Sequence, residues 1–312
     1  MVPKMSSKDP SVPAASRPDG EPSAETVPAQ HGKTRLEPGL HVVSTPIGNL
    51  RDITLRALDT LAGADEILAE DTRVARKLLD AHGIRAKLSA YHDHNGAERR
   101  PDILAKLEDG ATIALISDAG TPLVSDPGWK LVHEAVERGI RVIPVPGASA
   151  LLAGLVTSGL PSDRFMFCGF LPAKSGQRKR EAEALKPVEA TLVFYEGGSR
   201  LAACLADLAE TLGGGRRAAI ARELTKFFEE TRHGTLAELA AHYEQNGPPK
   251  GEIVILIGPP LEAAPDEADI DAALLKAMAE APMKRAANDV AEAFGISKRD
   301  AYQRALALKD NG

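Results

Sequence analysis

The feature that most constrains the fold is an apolar run that leads directly into a loop of small residues. Ile113–Ile116 is uniformly apolar, and the following Ser117–Gly128 carries two prolines and two carboxylates. A short apolar run bounded by turn formers is typical of a parallel strand covered on both faces. Ligands in open α/β sheets bind beyond the carboxyl ends of such strands. The small residues therefore predict a pocket in which a ligand approaches the backbone closely.

Strand-like and helix-like patterns alternate around this segment, from Leu40 to Thr157. This alternation predicts an α/β fold with a mostly parallel sheet and helices on both faces. After a linker at 159–163, the pattern predicts a second α/β domain whose strand order it does not fix. The expected strands are Leu40–Ser44, Glu66–Ala69, Leu88–Tyr91, Ile113–Ile116, Val142–Val145, Phe165–Phe170, Thr191–Tyr195, Ala218–Ala221 and Glu252–Ile257.

Four segments are expected along the chain. Residues 1–38 contain seven prolines and few large aliphatic residues, so we expect a disordered tail. Two α/β domains are expected at 39–160 and 161–260. Residues 268–310 have apolar residues at helical spacing, with Gly295 as a break and Ser297 placed to cap the last helix, which predicts a small helical module of helix-turn-helix type.

Composition narrows the location and the partners of the protein. The net charge is −6, which excludes a uniformly basic surface but leaves local cationic patches as candidate nucleic-acid contacts. The two cysteines form neither a disulfide framework nor a metal-binding spacing, which favours a reducing cytoplasm. No apolar run approaches the roughly 20 residues that a membrane-spanning helix needs. We therefore expect a cytoplasmic protein without a membrane partner.

Polar residues follow several of the predicted strands. Glu70, Asp71 and Arg73 come directly after the strand at Glu66–Ala69, where Asp71 either caps the next helix or belongs to a site. The segment Tyr91–Asn95 contains His-x-His, but the sequence offers no evident third ligand, so a polar loop facing substrate is preferred over a metal site. The loops after the first and fourth strands lack the glycine pattern of a dinucleotide site and the Gly-Lys-Ser/Thr of a phosphate loop.

A cationic segment opens a predicted helix in the second domain. Four of the seven residues at 174–180 are cations: Lys174, Arg178, Lys179 and Arg180. Cations are unfavourable at a helix N-terminus, so this placement favours an anionic partner such as RNA phosphate over a merely solvated helix start.

Six of these segments, in order, resemble the bacterial 16S ribosomal RNA ribose (cytidine-2′-O-) methyltransferases, a branch of the tetrapyrrole methylase superfamily. The resemblance covers about residues 39–258, and the C-terminal helices resemble the terminal module of that family. The segments that carry it are Ser44–Leu50, Ala69–Arg73, Tyr91–Asn95, Ser117–Pro122, Ser125–Gly128 and Ala221–Thr225.

The resemblance implies two α/β domains of tetrapyrrole-methylase type with S-adenosylmethionine (SAM) in the cleft between them. It implies methylation of a decoding-centre cytidine in the 30S subunit, a homodimer and no metal. The cofactor-binding residues that it implies are Pro46, Asp118, Gly120, Thr121, Leu123, Val124, Ser149, Ala150, Phe194, Tyr195, Ala221, Leu224, Gly251, Glu252 and Ile253.

One loop departs from the family pattern. After Tyr195-Glu196 the family usually has Ser-Pro-His-Arg, whereas this chain has Gly197-Gly198-Ser199-Arg200. No role of that histidine applies here, and we expect the two glycines to make the loop more flexible.

The transfer of a methyl group to a ribose hydroxyl depends mainly on alignment, with help from a base or a nearby cation. Glu70, Asp71 and Glu223 are the candidate bases. Arg73, Arg222 and Lys226 are candidates for stabilising negative charge. The sequence alone does not rank these candidate bases and cations. Further candidate RNA contacts are Arg76, Lys77, Lys284, Arg285, Lys298 and Arg299.

Two rival functions stay open at this stage. The first is a methylase of a porphyrin-like small molecule, which would explain a cleft but neither the cationic segment nor the terminal helices. The second is a non-catalytic protein that binds ribosomal RNA during assembly and keeps SAM only as a structural ligand.

Overall fold

A computed structural model describes residues 36–92, 94–261 and 267–310 of the chain. These residues form two compact units. The first comprises the described residues up to Ala153 together with Glu223–Glu229, and the second comprises Gly154–Arg222 and the described residues from Glu230 onward. The domain boundaries predicted at 160 and 260 stay predictions, as does the tail, whose residues 1–35 lie outside the described part.

The first unit is built on a five-stranded, fully parallel sheet of order β3-β2-β4-β1-β5. Its strands are β1 (Gly39–Val43), β2 (Glu66–Ala69), β3 (Leu88–Ala90), β4 (Thr112–Ile116) and β5 (Val142–Val145). Its helices are α1 (Leu55–Gly63), α2 (Thr72–Ala81), α3 (Gly96–Glu108), α4 (Trp129–Glu137) and the start of α5 (Ala150–Thr157).

Helices cover both faces of this sheet, as the alternating sequence pattern predicts. On one face Ala114 and Ile116 of β4 belong to a core with Leu61 of α1 and Leu79 of α2. On the opposite face the core comprises Ile113 and Leu115 of β4, Leu104 of α3 and Leu131 of α4. Successive residues of a strand point to opposite faces, so a strand covered on both sides is apolar over most of its length. All five residues of β4 are accordingly buried.

The strand order places a topological switch point between β1 and β4. From β1 the chain crosses to β2 on one side of the pair, and from β4 it crosses to β5 on the other side. The helices that follow β1 and β4 lie on opposite faces of the sheet, and in sheets of this kind a crevice is expected at the carboxyl ends of such a strand pair. Open α/β sheets bind their ligands at such a crevice.

The second unit contains a mixed sheet of order β6-β7-β10-β8-β9, in which only β6 and β7 of the described strands pair in parallel. Its strands are β6 (Phe165–Phe170), β7 (Thr191–Gly197), β8 (Arg217–Arg222), β9 (Glu230–Thr235) and β10 (Glu252–Ile257). The helices α6 (Ser175–Leu185), α7 (Leu201–Leu212) and α8 (Leu236–Asn246) supply Ala182, Leu205 and Leu239 to a core with Phe194 and Ile255.

Three further helices of this unit form the C-terminal module: α9 (Glu267–Glu280), α10 (Met283–Phe294) and α11 (Lys298–Asp310). Leu274, Val290 and Ala301 belong to one core that the three helices share. Gly295 ends α10 with a left-handed φ of 63°, and the Ser297 hydroxyl accepts a hydrogen bond from the Asp300 amide at 3.0 Å. The break and the cap predicted from the sequence are therefore confirmed.

In the described part of the chain, no helix combines the length and the apolar character that crossing a membrane would require.

Candidate active site

The loops after β1 and β4 are joined by backbone hydrogen bonds at the switch point. The Thr45 amide donates to the Gly120 carbonyl at 2.8 Å, and the Gly120 amide donates back to the Thr45 carbonyl at 3.1 Å. The Thr45 hydroxyl also donates to the Ser117 carbonyl at 3.3 Å. Gly120 has a left-handed φ of 77°, which glycine adopts without steric cost. Pro46 follows this bridge directly and is buried.

Thr121 connects this pair of loops to the loop after β5. Its hydroxyl lies 3.1 Å from the Ser44 hydroxyl and donates to the Ala148 carbonyl at 3.3 Å. Ser149 and Ala150 follow at the beginning of α5, where the Ser149 carbonyl accepts from the Ala153 amide at 2.9 Å. Three strand-end loops that the sequence singled out are thus hydrogen-bonded to one another within the first unit.

The loop after β2 joins the same cluster through Asp118. One carboxylate oxygen of Asp118 accepts a hydrogen bond from the Asp71 amide at 3.0 Å. Asp71 caps α2 by accepting from the Arg73 amide at 2.8 Å, and it also pairs with the Arg73 guanidinium at 2.6 Å. Hydrogen bonds from Arg73 hold the pKa of Asp71 at about 2, below its ordinary value of 3.8. The prediction that Asp71 caps α2 is therefore confirmed. Glu70, the residue before it, is half-buried.

The loop between β4 and α4 contains several strained residues. Leu123 and Ser125 have φ values of 75° and 67°, a left-handed conformation that costs a non-glycine residue on the order of 1–3 kcal/mol. Val124, between them, is half-buried. Burial is the main cause that raises the pKa of Asp126, and the nearby charge of Asp118 adds to it. Such strain persists only where the surrounding contacts enforce it, and it is typical of functional loops.

The segment Glu223–Glu229, which connects β8 to β9, belongs to the first unit and contains the same kind of strain. Glu223 and Thr225 have φ values of 50° and 66°. Together with Leu123 and Ser125 they are the left-handed non-glycine residues of the described chain. Leu224 is 7% exposed, and the Thr225 hydroxyl oxygen is buried without a hydrogen-bond partner among the described residues.

Lys226 anchors this segment to the loop after β1. Its ammonium lies 2.8 Å from a Glu223 carboxylate oxygen. Its aliphatic stem lies so close to Gly48 that a Cβ at that position would come within 2.4 Å of the Lys226 Cγ. A side chain at position 48 would therefore force the Lys226 side chain to move. Neither the contact between Lys226 and Gly48 nor the buried Thr225 hydroxyl follows from the sequence pattern, because both depend on how distant segments pack.

The second unit contains the remaining predicted cofactor residues at one end of its sheet. Register pairs Ile253 of β10 with Glu196 of β7 and with Arg222 of β8, and Val254 with Tyr195 and Ala221. Gly251 and Glu252 precede and open β10. Tyr195 is half-buried and its ring packs edge-on against Phe167, with the ring centroids 4.8 Å apart.

Two of these predictions need correction at the level of the side chain. Phe194 is fully buried and Ile253 is 2% exposed, and both belong to the apolar core on the helix-covered face. Their side chains stabilise the domain, so a ligand can reach only the backbone of these two residues. The sequence pattern does not distinguish the two faces of these strands.

The cationic segment is also corrected in part. Arg178 is 4% exposed, and its guanidinium donates to a carboxylate oxygen of Asp207 at 2.7 Å and to the Pro172 and Ala173 carbonyls at 3.1 Å. Lys179 pairs with Glu210 at 2.7 Å. Arg178 is thus a buried structural group and the prediction that it binds RNA is wrong.

Lys174 and Arg180 remain exposed at the start of α6. The sequence offered no signal that carboxylates of α7 compensate two of the four cations, because the acids lie about 30 residues further along the chain.

The segment Tyr91–Asn95 folds on itself. The Asn95 side chain accepts from the His92 amide at 2.9 Å and donates to the Ala90 carbonyl at 3.1 Å. Asp93 lies outside the described residues. No group of three potential metal ligands occurs among the residues that the structure describes.

Gly198 explains the departure from the family pattern in the loop after β7. A Cβ at this position would lie 1.8 Å from the Pro249 carbonyl oxygen, so no side chain fits without a backbone shift. The next residues form a short 3-10 helix, and Arg200 donates to the Leu171 carbonyl at 2.6 Å. The sequence predicts that the two glycines make this loop more flexible. Gly198 instead allows the loop to pack closely against the Pro249 carbonyl, so its presence does not indicate flexibility.

Comparison with known proteins identifies the family. Residues 39–240 match the Tetrapyrrole (Corrin/Porphyrin) Methylases, and residues 264–309 match the RsmI C-terminal HTH domain. A curated protein of Mesorhizobium japonicum, "Ribosomal RNA small subunit methyltransferase I", is 58% identical over 88% of this chain and 94% of its own length. A protein of the same name from Pseudomonas aeruginosa is 46% identical over 86% of this chain and 96% of its own.

Solved structures with low identity support the fold alone. A cobalt precorrin-4 methyltransferase of cobalamin biosynthesis has a TM-score of 0.52 at 17% identity, over 70% of this chain and 94% of that one. Diphthine synthase has a TM-score of 0.56 at 15% identity, over 70% of this chain and 89% of that one. From the matched residues and the shared architecture, the chain belongs to the tetrapyrrole (corrin/porphyrin) methylases, with a C-terminal domain of the RsmI type.

Proposed function

We propose that the protein methylates the 2′-oxygen of a cytidine in the decoding centre of 16S ribosomal RNA, with SAM as the methyl donor. The observation that carries the proposal is the near full-length match to curated relatives named for methylation of small-subunit ribosomal RNA. The match to the RsmI C-terminal domain favours an RNA substrate over a porphyrin-like one. The joined strand-end loops lie at the switch point, which is the place where open α/β sheets bind their ligands.

The residues of the first unit fit SAM by their chemistry. The exposed carboxylate of Asp118 and the nearby Asp126 suit a ligand with a sulfonium, an ammonium and ribose hydroxyls. Gly120 allows the ligand to approach the backbone, and the unpartnered Thr225 hydroxyl offers a further hydrogen bond. We propose that these residues hold the cofactor. The residues at 194–195 and 251–253 of the second unit stay predictions that the family resemblance implies. When bound, SAM supplies an electrophilic methyl group and needs no metal.

The protein's own residues then have to orient the ribose hydroxyl and accept its proton. Among the candidate bases, Asp71 is the least suited, because its pairing with Arg73 and its pKa of about 2 make it a weak proton acceptor. We propose that Asp71 and Arg73 are positioning residues that connect α2 to Asp118. Glu70 and Glu223 remain the proposed bases, and Lys226 lies close enough to Glu223 to stabilise negative charge.

We propose that RNA contacts come from exposed cations in two places. Lys174 and Arg180 lie at the start of α6, while Lys179 is partly compensated by Glu210. In the C-terminal module the candidate RNA contacts are the exposed Lys284, Arg285, Lys298 and Arg299. The target lies in folded RNA, so recognition depends on shape and on an exposed nucleotide.

The experiment that tests the proposal is methyl transfer from labelled SAM to purified 30S subunits and, in parallel, to naked 16S RNA. Incorporation into either RNA substrate supports the proposal, and the preferred form shows whether the assembled subunit is recognised. Transfer to a porphyrin-like substrate instead would overturn it. SAM binding without transfer to any RNA would favour a non-catalytic assembly protein.

A cytoplasmic location and a homodimeric state complete the proposal. The first rests on the two free cysteines and on the ribosomal substrate, and the second on the family resemblance. Light scattering of the purified protein checks the dimer.

A further inference from the structure

Two adjacent phenylalanines are exposed on the segment between β8 and β9. Phe227 is 94% exposed and Phe228 is 66% exposed. Their rings are perpendicular to each other, with the centroids 5.1 Å apart. Exposure of two large apolar rings costs free energy of solvation, roughly 25 cal/mol for each Å² of apolar surface left in water. The folded protein recovers that cost only if a partner covers the rings.

The two rings occupy the tip of a tight turn. The Glu229 amide donates to the Lys226 carbonyl at 3.1 Å, so Phe227 and Phe228 are the two central residues of that turn. A preceding turn is closed by the Lys226 amide, which donates to the Glu223 carbonyl at 3.0 Å. The Glu229 carboxylate also accepts from the Thr225 amide at 2.5 Å. The rings are therefore presented by a hydrogen-bonded double turn.

This double turn is fixed to the loops of the candidate active site. Lys226 packs on Gly48 of the β1 loop, and Glu223 and Thr225 hold left-handed φ values within the same turn. Gly48 lies three residues after Thr45, whose backbone is hydrogen-bonded to Gly120. The aromatic pair thus belongs to the same compact unit and the same connected set of loops as the proposed methyl-transfer site.

The size and the surroundings of the pair indicate its occupant. Two phenylalanine side chains offer at most about 400–500 Å² of apolar surface, whereas a stable protein interface buries about 800 Å² on each partner. The residues that flank the pair in sequence include the charged Lys226, Glu229 and Glu230, so the apolar run along the chain is limited to the two rings. One unstacked nucleobase is a planar apolar partner of the right size, and bases splayed out of folded RNA stack on aromatic side chains.

We propose that Phe227 and Phe228 stack against an unpaired nucleobase of the RNA substrate and so hold the target strand at the methyl-transfer site. This inference rests on the proposed function, because it assigns the recognition of RNA to a particular pair of side chains. The pair contributes to the binding of RNA and not to the binding of the methyl donor.

The test compares the double variant F227A/F228A with wild type and with the control V136A. Val136 of α4 is also an exposed apolar residue of the first unit, at 61% exposure. For the double variant we expect the KM for 30S subunits to rise by on the order of 10-fold, since stacking on one base is worth about 1–3 kcal/mol. The SAM affinity, the melting temperature and the oligomeric state should match those of V136A. The conservative variant F227Y/F228Y, which keeps both ring faces, should restore the wild-type KM.

Three results would overturn the stacking role. An unchanged KM would show that no base uses the rings. A lower melting temperature than that of V136A would make them packing residues, and a loss of dimer would make them part of a protein interface. Failure of the proposed function has a different result: wild-type protein would then transfer no methyl group to any RNA, whatever the rings do to RNA binding in a filter assay.

Discussion

At the scale of single residues, the loop after β7 contains a glycine at which an added Cβ atom would clash with the backbone. Gly198 lies against the Pro249 carbonyl, whereas a Cβ at the neighbouring Gly197 would meet no atom within 4 Å. Gly197 also has an ordinary extended backbone, with φ at −90°. Substitutions at these two glycines therefore form a matched comparison, because a side chain would clash at Gly198 but not at Gly197.

We expect G198A to lower the free energy of unfolding by about 2 kcal/mol or more, because overpacking against backbone forces a local shift. G197A should change it by less than about 0.5 kcal/mol. Chemical denaturation of both variants measures this difference. Equal effects would show that Gly198 is not confined by Pro249.

The carboxylate of Asp118 makes a second prediction at this scale. D118N keeps an oxygen for the hydrogen bond from the Asp71 amide but removes the negative charge. We expect SAM to bind about 10-fold more weakly, which corresponds to about 1.4 kcal/mol of lost attraction to a cationic ligand. Calorimetric titration with SAM measures it, and D109N, at the exposed end of α3, is the control. Unchanged affinity would remove Asp118 from the cofactor site.

At the scale of helices and strands, a buried ion-pair network connects β2 to neighbouring elements. Glu66 of β2 is 4% exposed, and Lys87, Arg99 and Lys106 surround its carboxylate at 3.0–3.4 Å. Burial by itself would raise the pKa of Glu66. Hydrogen bonds from Ser89 and Lys87, with the charges of Lys106 and Lys87, outweigh it and hold the pKa at about 2.

This lowered pKa makes stability depend on pH. The unfolded carboxyl titrates near 4.5, so the stabilisation is fully present above that pH and is lost as pH falls toward about 2. It amounts to on the order of 2 kcal/mol. We expect E66Q to be less stable at pH 7 and to lose less stability than wild type between pH 5 and pH 3. Urea titrations at each pH measure the free energy of unfolding of both proteins. Equal losses in E66Q and wild type between pH 5 and pH 3 would contradict this role of Glu66.

Two cations of α6 have different predicted roles. Arg178 pairs with Asp207 of α7 and is structural, whereas the exposed Arg180 is a candidate RNA contact. Removing Arg178 leaves the buried Asp207 with only the Ser175 hydroxyl at 3.0 Å and the Lys179 ammonium at 3.6 Å, so R178A should cost about 3 kcal/mol of unfolding free energy. R180A should leave stability unchanged and weaken RNA binding, with a shallower dependence of affinity on salt. Thermal melts and filter binding at several salt concentrations measure both. If R180A binds RNA like wild type, the start of α6 is not an RNA contact.

Prediction from sequence succeeded where a single strand or loop determines the answer. The apolar run of β4 was sufficient to predict a parallel strand covered on both faces, whereas the ligand pocket after it stays a prediction. It failed where distant residues decide. β9 was missed because Glu230–Thr235 is polar and half-buried, without apolar alternation. The burial of Arg178 depends on Asp207, and Lys226 packs against Gly48, which is far from it in sequence, so neither contact follows from the local sequence pattern.

At the scale of the whole molecule, the proposed function needs a methyl-transfer site and cations that contact RNA. The proposed site lies at the switch point of the first sheet, and the exposed cations belong to α6 and to the C-terminal module of the second unit. The overall charge of −6 makes these local patches, and not the net charge, the source of RNA affinity. Binding to 30S subunits should therefore weaken steeply as salt rises, and an affinity independent of salt would contradict it.

The most direct test of the central claim is the chemical identity of the methylated nucleoside. The 16S RNA is isolated after reaction of 30S subunits with labelled SAM, and its nucleosides are separated after enzymatic digestion. The account predicts label in 2′-O-methylcytidine, at a linkage that resists alkaline hydrolysis. Label in a base-methylated nucleoside, or no label although SAM binds, would contradict it.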